Sequence, residues 1–130
     1  MRGRFENWIK FAEEDLKMAE LALKEKMYNQ TCFHSQQCVE KVLKGFIEYN
    51  GKISPHTHKL ADILPLPSTD IFEDLQDAII LLDRFYVPTR YPDALPGILP
   101  EGLPGEKDAK EALQIARDVF ERAKKALGIQ

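Results

Sequence analysis

The spacing of apolar residues constrains the fold of this 130-residue chain more than any other feature. In four stretches, apolar positions recur every three or four residues, which is the period of an amphipathic α-helix with one face in a core. These stretches are residues 6–26, 29–49, 68–86 and 106–127. No stretch shows the alternation of apolar and polar residues that is typical of a half-buried strand. The sequence therefore predicts an all-α fold, an up-and-down bundle of four long antiparallel helices and one short helix.

Glycine and proline indicate where the helices end. Asn50-Gly51 is a helix-stop pair, and Pro55 and Pro65 leave room only for a short helix from about His58 to Leu64. Five prolines then recur at every fourth position, at Pro88, Pro92, Pro96, Pro100 and Pro104. Since a proline in every turn prevents a helix, we expect a long extended loop before the last helix. Loops of this length are more often functional than mere connections.

Length and charge limit the class of protein. Residues 1–130 are enough for a single domain with one core. The net charge of −3 excludes a generally basic nucleic-acid-binding surface, so any RNA contact must be local. The longest apolar runs, such as Ala78 to Leu82, are far shorter than the ~20 residues of a membrane span, and the start lacks a signal-peptide pattern. We expect a cytoplasmic protein with no membrane segment.

Asp15 departs from the pattern of the first helix because it lies on the apolar face. An unpaired buried carboxylate is costly, so Asp15 requires a partner, and Lys44, Arg84 and Arg90 are the first cations to consider. Two interpretations stay open. Asp15 is either a functional acid, since breaks in a local pattern often mark functional sites, or one half of an internal salt bridge.

A polar strip on the second helix borders its apolar face. The strip consists of Gln36, Gln37, Glu40, Lys41 and Lys44, of which Glu40 and Lys44 form a favourable i, i+4 pair. Such a strip alone is usually a solvated helix face. Its position beside the core indicates a cleft or an interface instead.

Arg90 and Tyr91 combine a planar cation with an aromatic ring, a pair that suits phosphate binding and base stacking. The alternative is that Arg90 only caps carbonyl groups at a helix end. The three histidines, His34, His56 and His58, have no cluster of cysteines or carboxylates around them in the sequence, so no metal site is predicted. No cofactor motif is present either, and no cofactor is expected.

Four segments together resemble the HEPN domain family, in its RYPD-type branch associated with minimal nucleotidyltransferases. They are WIKFAEEDLKMAELAL at 8–23, YNQTCFHSQQCVEKVLKGFIEYNG at 28–51, HTHKLADIL at 56–64 and RYPD at 90–93. The resemblance spans nearly the whole chain. It implies a dimeric helical bundle in which helices two and four line a polar cleft. Many members are RNA-cleaving toxins or defence effectors, while others bind nucleotides or are inactive.

The chain departs from the RNA-cleaving members, in which an Arg is followed four to six residues later by a His. His58 is the last histidine, so neither Arg84 nor Arg90 has a histidine after it, and the usual catalytic motif is absent. Arg84 and Arg90 together can hold a phosphate. They offer no general base near neutral pH because arginine stays protonated.

These observations predict the site residues and the partners. The ligand- or phosphate-binding residues are Arg90, Tyr91, Asp93 and Arg84, with Asp15 and Asp93 orienting the arginines, and the residues lining the cleft are Asp15, Gln37, Glu40, Lys41 and Lys44. The expected partners are a second copy, a nucleotide or RNA ligand, and a minimal nucleotidyltransferase in a toxin–antitoxin-like pair. Two alternatives stay open: a metal-independent endoribonuclease toxin with an altered active site, and a purely structural dimeric module.

Overall fold

The computed structural model describes residues 2–65, 69–86 and 103–128, with side chains from residue 5 onward. The helices are α1 (Arg2–Lys24), α2 (Tyr28–Tyr49), α3 (Leu60–Ile63), α4 (Gln76–Leu81) and α5 (Glu106–Leu127). Two 3-10 helices, Asp70–Leu75 and Leu82–Phe85, flank α4. Every element in these ranges is a helix, which confirms the predicted all-α fold.

The helices α1 and α2 form an antiparallel hairpin joined by a tight turn. The N–H of Met27 donates to the carbonyl of Ala22 at 2.8 Å, and Lys26 takes a left-handed conformation with φ 60°. Where the two helices cross, a Cβ placed on Gly45 would lie 3.1 Å from the Cβ of Trp8. Glycine at this position therefore permits the close approach of the two backbones.

The core forms around α2, which packs against α1, α5 and the 3-10 helix Leu82–Phe85. Four alanines on α5 are fully or almost fully buried, namely Ala109, Ala112, Ala116 and Ala123. Their small side chains let α5 approach its neighbours closely, as its sequence indicates. The predicted bounds of α5 are confirmed, and its C-cap is Gly128 in a left-handed conformation with φ 69°.

The fourth predicted helix is interrupted, and this corrects the prediction of one continuous helix. Only Gln76–Leu81 is α-helical, between the two 3-10 helices. Ile71 was expected in the core but is 37% exposed, whereas Phe72 is fully buried. A 3-10 helix has three residues per turn, so residues three apart lie on one side. This geometry directs both Leu82 and Phe85 into the core.

The ends of the other helices differ from the prediction by a few residues. The helix α1 begins at Arg2, four residues earlier than expected, and Phe11, assigned to its apolar face, is 48% exposed. The helix α2 begins at Tyr28 without a side-chain cap, so neither Asn29 nor Thr31 caps it. The short helix α3 is Leu60–Ile63, because the preceding residue Lys59 has an extended backbone.

No helix in the described ranges is both long and apolar enough to cross a membrane. The proline-rich segment predicted as an extended loop falls almost entirely at residues 87–102, outside the described residues.

Candidate functional site

The polar strip of α2 contains a buried carboxylate with several polar partners. Glu40 is 4% exposed and its Oε2 accepts a hydrogen bond from Lys44 Nζ at 3.0 Å, while Lys44 itself is 5% exposed. The amides of Gln36 and Gln37 approach Glu40 Oε1 at 3.4 and 3.5 Å. This group, completed by two rings from later segments, is called the Glu40 cluster and consists of Gln36, Gln37, Glu40, Lys44, His58 and Tyr86. It brings together three of the predicted cleft residues, Gln37, Glu40 and Lys44.

His58 completes the Glu40 cluster from the loop after α2. Its Nδ1 lies 2.9 Å from Glu40 Oε2, and its backbone carbonyl accepts a hydrogen bond from Gln36 Nε2 at 3.2 Å. The ring stacks on Tyr86, with 5.0 Å between ring centroids and 17° between planes. The side chain of His58 is 50% exposed, so one edge of the imidazole is open to solvent.

The carboxylate of Asp83 fixes the position of this loop. Its two oxygens accept hydrogen bonds from the backbone N–H groups of Leu60 and Ala61, at 2.7 and 3.1 Å. The 3-10 helix that carries Asp83 is thereby joined to the first turn of α3, two residues after His58. Partial burial raises the pKa of Asp83, although the two backbone hydrogen bonds act in the opposite direction.

Asp15 is buried as predicted, but its partners differ from the expected cations. Its Oδ1 lies 2.8 Å from His34 Nδ1, and its Oδ2 accepts a hydrogen bond from Lys41 Nζ. Within the described residues, neither Lys44 nor Arg84 pairs with it. The physical reason is that His34 and Lys41 lie on the part of α2 that faces Asp15 across the hairpin. The predicted cleft residues Asp15 and Lys41 therefore form a second cluster with His34.

Arg84 lies at the other side of α2, near the start of α5. Its guanidinium is 3.7 Å from Asp108 and 3.9 Å from Glu111, and it lies over the ring of Phe85. Its side chain is 38% exposed, so these two acids share its charge with solvent. Phosphate binding by Arg84 stays a prediction. The other predicted binding residues, Arg90, Tyr91 and Asp93, lie outside the described residues.

Sequence reasoning missed His58, Tyr86 and His34 as members of these clusters. The only signal for His58 was the His-x-His spacing in a proline-bounded loop, which does not reveal that one ring faces Glu40. Tyr86 was assigned simply to the apolar face of the fourth helix. The contacts of both residues arise between segments far apart in the sequence.

The described residues show neither a reactive thiol nor a group of metal ligands. Cys32 and Cys38 are free, buried thiols, and burial raises the pKa of Cys32 to about 12 and that of Cys38 further still. Such thiols are inert as nucleophiles. Across the described ranges, no three residues among His, Cys, Asp and Glu are grouped so that they could hold a metal ion.

The Glu40 cluster offers three kinds of chemistry at one place. Lys44 and Gln36 are buried donors whose hydrogen bonds lie within the cluster, the His58–Tyr86 pair supplies an aromatic surface for stacking, and His58 is an imidazole oriented by a carboxylate. A ring oriented in this way has a defined tautomer and can transfer a proton at its other nitrogen.

Comparison with known proteins adds the evolutionary context. The sequence model of the HEPN domain matches residues 5–126. A Methanocaldococcus jannaschii protein named "Putative toxin MJ1304" is 34% identical over 125 residues, which cover 88% of this chain and 82% of that protein.

Two solved structures share the fold over nearly their whole length. The crystal structure of ST0689, described as an archaeal HEPN homologue, has a TM-score of 0.73 and 34% identity, covering 94% of this chain and 96% of its own. The crystal structure of TT1696 from Thermus thermophilus has a TM-score of 0.76 and 33% identity, covering 94% of this chain and 97% of its own.

Proposed function

This chain belongs to the HEPN domain family, and from that premise we propose that it is one half of a toxin–antitoxin-like pair that binds nucleotide or RNA phosphate along the polar strip of α2. The observation that carries the proposal is the Glu40 cluster, in which buried polar groups hold the half-exposed His58 against the partly buried ring of Tyr86. A purely structural helix surface has no need of so many buried polar groups, each of which costs free energy to desolvate.

The pairing with Tyr86 favours a ligand that contains a base. Aromatic rings bind bases of single-stranded nucleic acid by stacking, at ~1–3 kcal/mol per base. Tyr86 is also the last described residue before the segment that holds Arg90 and Tyr91. In the proposal, Arg90 binds the phosphate and Tyr91 adds a second ring or a hydroxyl donor. The net charge of −3 means that these local contacts carry the binding.

Binding is tested with a fluorescently labelled single-stranded oligoribonucleotide and with AMP, by fluorescence anisotropy and competition. We expect Tyr86→Ala to weaken binding roughly 5- to 100-fold, the equivalent of one lost stacking contact. The control is Tyr49→Ala, since Tyr49 is a tyrosine that also packs against a ring, that of Phe5, and is itself half exposed. Equal affinity of Tyr86→Ala and the unmodified protein contradicts the proposal.

The contribution of the RYPD segment is tested by the double variant Arg90→Ala, Tyr91→Phe. Weaker binding with a smaller salt dependence is expected, because one phosphate contact is lost. If binding and partner association are both retained, the proposed roles of Arg90 and Tyr91 are wrong. If no nucleotide binds the unmodified protein or raises its Tm, the chain is a structural module, since any ligand of the folded state must raise the Tm.

The proposed partners are a second copy of the chain and a minimal nucleotidyltransferase. Sedimentation of the purified protein tests the dimer. Expression of the chain alone is expected to slow growth, and co-expression with a nucleotidyltransferase encoded by the neighbouring reading frame is expected to restore it. The name of the M. jannaschii relative supports the toxin role. Unchanged growth under strong expression argues against it.

A further inference from the structure

We propose that the outer face of α1 is a docking surface for an amphipathic helix of another protein, one that carries carboxylates along one flank. The surface is separate from the Glu40 cluster, and its role does not depend on nucleotide binding there. It lies opposite the face of α1 that packs against α2 and α5.

Three large apolar side chains of α1 lie outside the core. Phe11, Met18 and Leu21 are 48, 49 and 51% exposed, although α1 already buries another apolar face. On a helix with 3.6 residues per turn, the three lie within an arc of about 80°. Apolar side chains grouped on one face mark a contact surface, unlike those scattered singly.

The spacing of these side chains fits a neighbouring helix. Together with Glu14 and Glu25, they follow one another at intervals of three, four, three and four residues. This is the heptad spacing of a coiled-coil seam, in which one helix faces another along its length. We call this row the α1 seam; it consists of Phe11, Glu14, Met18, Leu21 and Glu25.

A row of lysines runs along one flank of the α1 seam. Lys10, Lys17 and Lys24 recur every seven residues, so they keep the same position beside each heptad. All three are exposed, and none of them forms an ion pair or a hydrogen bond with the described residues. Charges at such flanking positions determine which partner a coiled-coil helix accepts. Free cations here favour a partner with carboxylates opposite them.

The acids of α1 do not neutralise this lysine row. Glu6, Glu13 and Glu20 lie along its far side, and in the described part of the chain none of them is within ion-pair distance of a lysine of the row. Glu20 instead contacts Arg117 of α5 at 3.0 Å. The lysine row is therefore available to an incoming helix.

The same charges disfavour a second copy of this chain as the occupant. If two copies paired their α1 seams antiparallel about a two-fold axis, the lysine row of each would lie beside that of the other. In a parallel pair, Glu14 of one copy would face Glu14 of the other inside the seam. Like charges placed together disfavour both arrangements, so the occupant is a different chain.

Glu14 also disfavours a membrane surface, which would otherwise accept lysines and apolar side chains on one helix. Its exposed side chain lies between those of Met18 and Leu21, so its carboxylate would enter the acyl region with them. Such a transfer is costly for a charge. A partner helix can instead place one Lys or Arg opposite Glu14, among its own apolar residues.

Two synthetic helical peptides of about 21 residues test the charge preference. Both carry leucine at the seam positions and one arginine among them; the acidic peptide has glutamate along the flank and the basic peptide has lysine. Each peptide is labelled and kept dilute while the full chain is titrated, and fluorescence anisotropy reports binding. We expect the basic peptide to bind roughly 10-fold or more weakly than the acidic one. Equal affinities, or no binding of the acidic peptide, overturn the proposal.

The apolar contacts are tested by the double variant Phe11→Gln, Leu21→Gln. Glutamine is a good helix former, and circular dichroism verifies that each variant is folded. We expect the affinity for the acidic peptide to fall roughly 10- to 100-fold, because two apolar contacts are lost. The matched control is Leu81→Gln on α4, since Leu81 is also 50% exposed, and it should bind normally.

The triple variant Lys10→Gln, Lys17→Gln, Lys24→Gln tests the flank without changing the apolar row. It should no longer prefer the acidic peptide, and the salt dependence of binding should largely disappear. A preference that persists overturns the assignment of the partner's charge.

The matched control for the triple variant replaces three exposed lysines elsewhere with glutamine, at Lys52, Lys107 and Lys125. This control should keep the preference for the acidic peptide. Loss of the preference in the control as well would mean that overall charge, rather than the α1 seam, selects the peptide, and would overturn the proposal.

Two measurements identify other occupants. Flotation with vesicles of phosphatidylserine and phosphatidylcholine that the Phe11→Gln, Leu21→Gln variant loses would assign the face to a membrane and overturn the proposal. A dimer in sedimentation that this variant converts to a monomer would assign the face to a second copy, with the same consequence. A dimer that persists uses another surface and agrees with the proposal. Because no nucleotide is present, failure here leaves the nucleotide-binding proposal unaffected.

Discussion

At the scale of single residues, Asp15 shows what a helical pattern reveals and what it does not. Its place on the apolar face was visible in the sequence, and its burial is confirmed at 8% exposure. Its partners were not visible, because they depend on the register of α1 against α2 rather than on distance along either helix. The burial of a residue can be predicted from the apolar pattern of its own helix. Its contacts depend also on the position of the neighbouring helix.

The ion pairs of Asp15 lead to a prediction about stability. Asp15→Asn removes the charge that His34 and Lys41 contact, and hydrogen bonds to charged groups contribute ~1.5–3 kcal/mol. We expect the free energy of unfolding, measured in urea, to fall by about 2 kcal/mol.

The control for this variant is Glu14→Gln, because Glu14 is the exposed neighbour of Asp15 on α1. Its substitution should change the free energy of unfolding by no more than ~0.5 kcal/mol. Equal effects of the two variants would show that the Asp15 contacts contribute little.

At the scale of elements, the long helices and the short helix α3 were predictable, whereas the interruption of the fourth helix was not. The bounds of α5 follow from its apolar stripe and from Gly128, and the end of α2 follows from Asn50-Gly51. The 3-10 helices around α4 have no such signal. Over four to six residues, the spacing of apolar side chains does not distinguish a 3-10 helix from an α-helix. For the same reason the orientation of Tyr86 and its stack on His58 could not be predicted.

The crossing of α1 and α2 gives a prediction at this scale. A Cβ on Gly45 would lie 3.1 Å from Trp8 Cβ and 3.4 Å from Ile9 Cδ1, which is too close for a branched side chain. We expect Gly45→Val to lower the free energy of unfolding by ~1–3 kcal/mol through overpacking. In Gly45→Ala, the gain in helix propensity of up to ~1 kcal/mol offsets part of the cost.

Urea unfolding measures both variants, and Lys17→Val on the exposed face of α1 controls for placing valine in a helix. This control should cost no more than ~0.5 kcal/mol. If Gly45→Val is as stable as the unmodified protein, then α1 and α2 can move apart without a loss in the free energy of unfolding.

At the scale of the whole molecule, the Glu40 cluster combines segments that are far apart in the sequence. Its acid and amides come from α2, His58 comes from the following loop, and Tyr86 follows the 3-10 helix Leu82–Phe85. The residues of α2 could be predicted from the sequence, since they share one side of a single helix. The remainder depends on the tertiary fold, in which Asp83 joins α3 to the segment before Tyr86.

The Asp83 contact predicts a pH dependence of stability. Burial raises the pKa of Asp83 above its ordinary value of 3.8, so the folded protein holds this proton more tightly than the unfolded chain. The resulting contribution to the free energy of unfolding is fully present below pH 3.8 and is lost as the pH rises through the folded-state pKa.

Urea unfolding from pH 3 to pH 7 of the unmodified protein and of Asp83→Asn tests this sign. The asparagine does not titrate, and the other carboxyl groups cancel in the comparison. We expect the free energy of the unmodified protein minus that of the variant to decrease as the pH rises. A difference that stays constant or increases would show that the pKa of Asp83 is not raised.

The link between Asp83 and α3 also concerns the order of events during folding. A four-residue helix such as α3 is not stable in isolation, so it forms only when Asp83 is present to accept the N–H groups of Leu60 and Ala61. The hairpin of α1 and α2, by contrast, joins neighbours in sequence. A nascent chain that has completed this hairpin therefore still lacks an oriented His58, and the imidazole reaches its place beside Glu40 only after the later segments have been synthesised and docked.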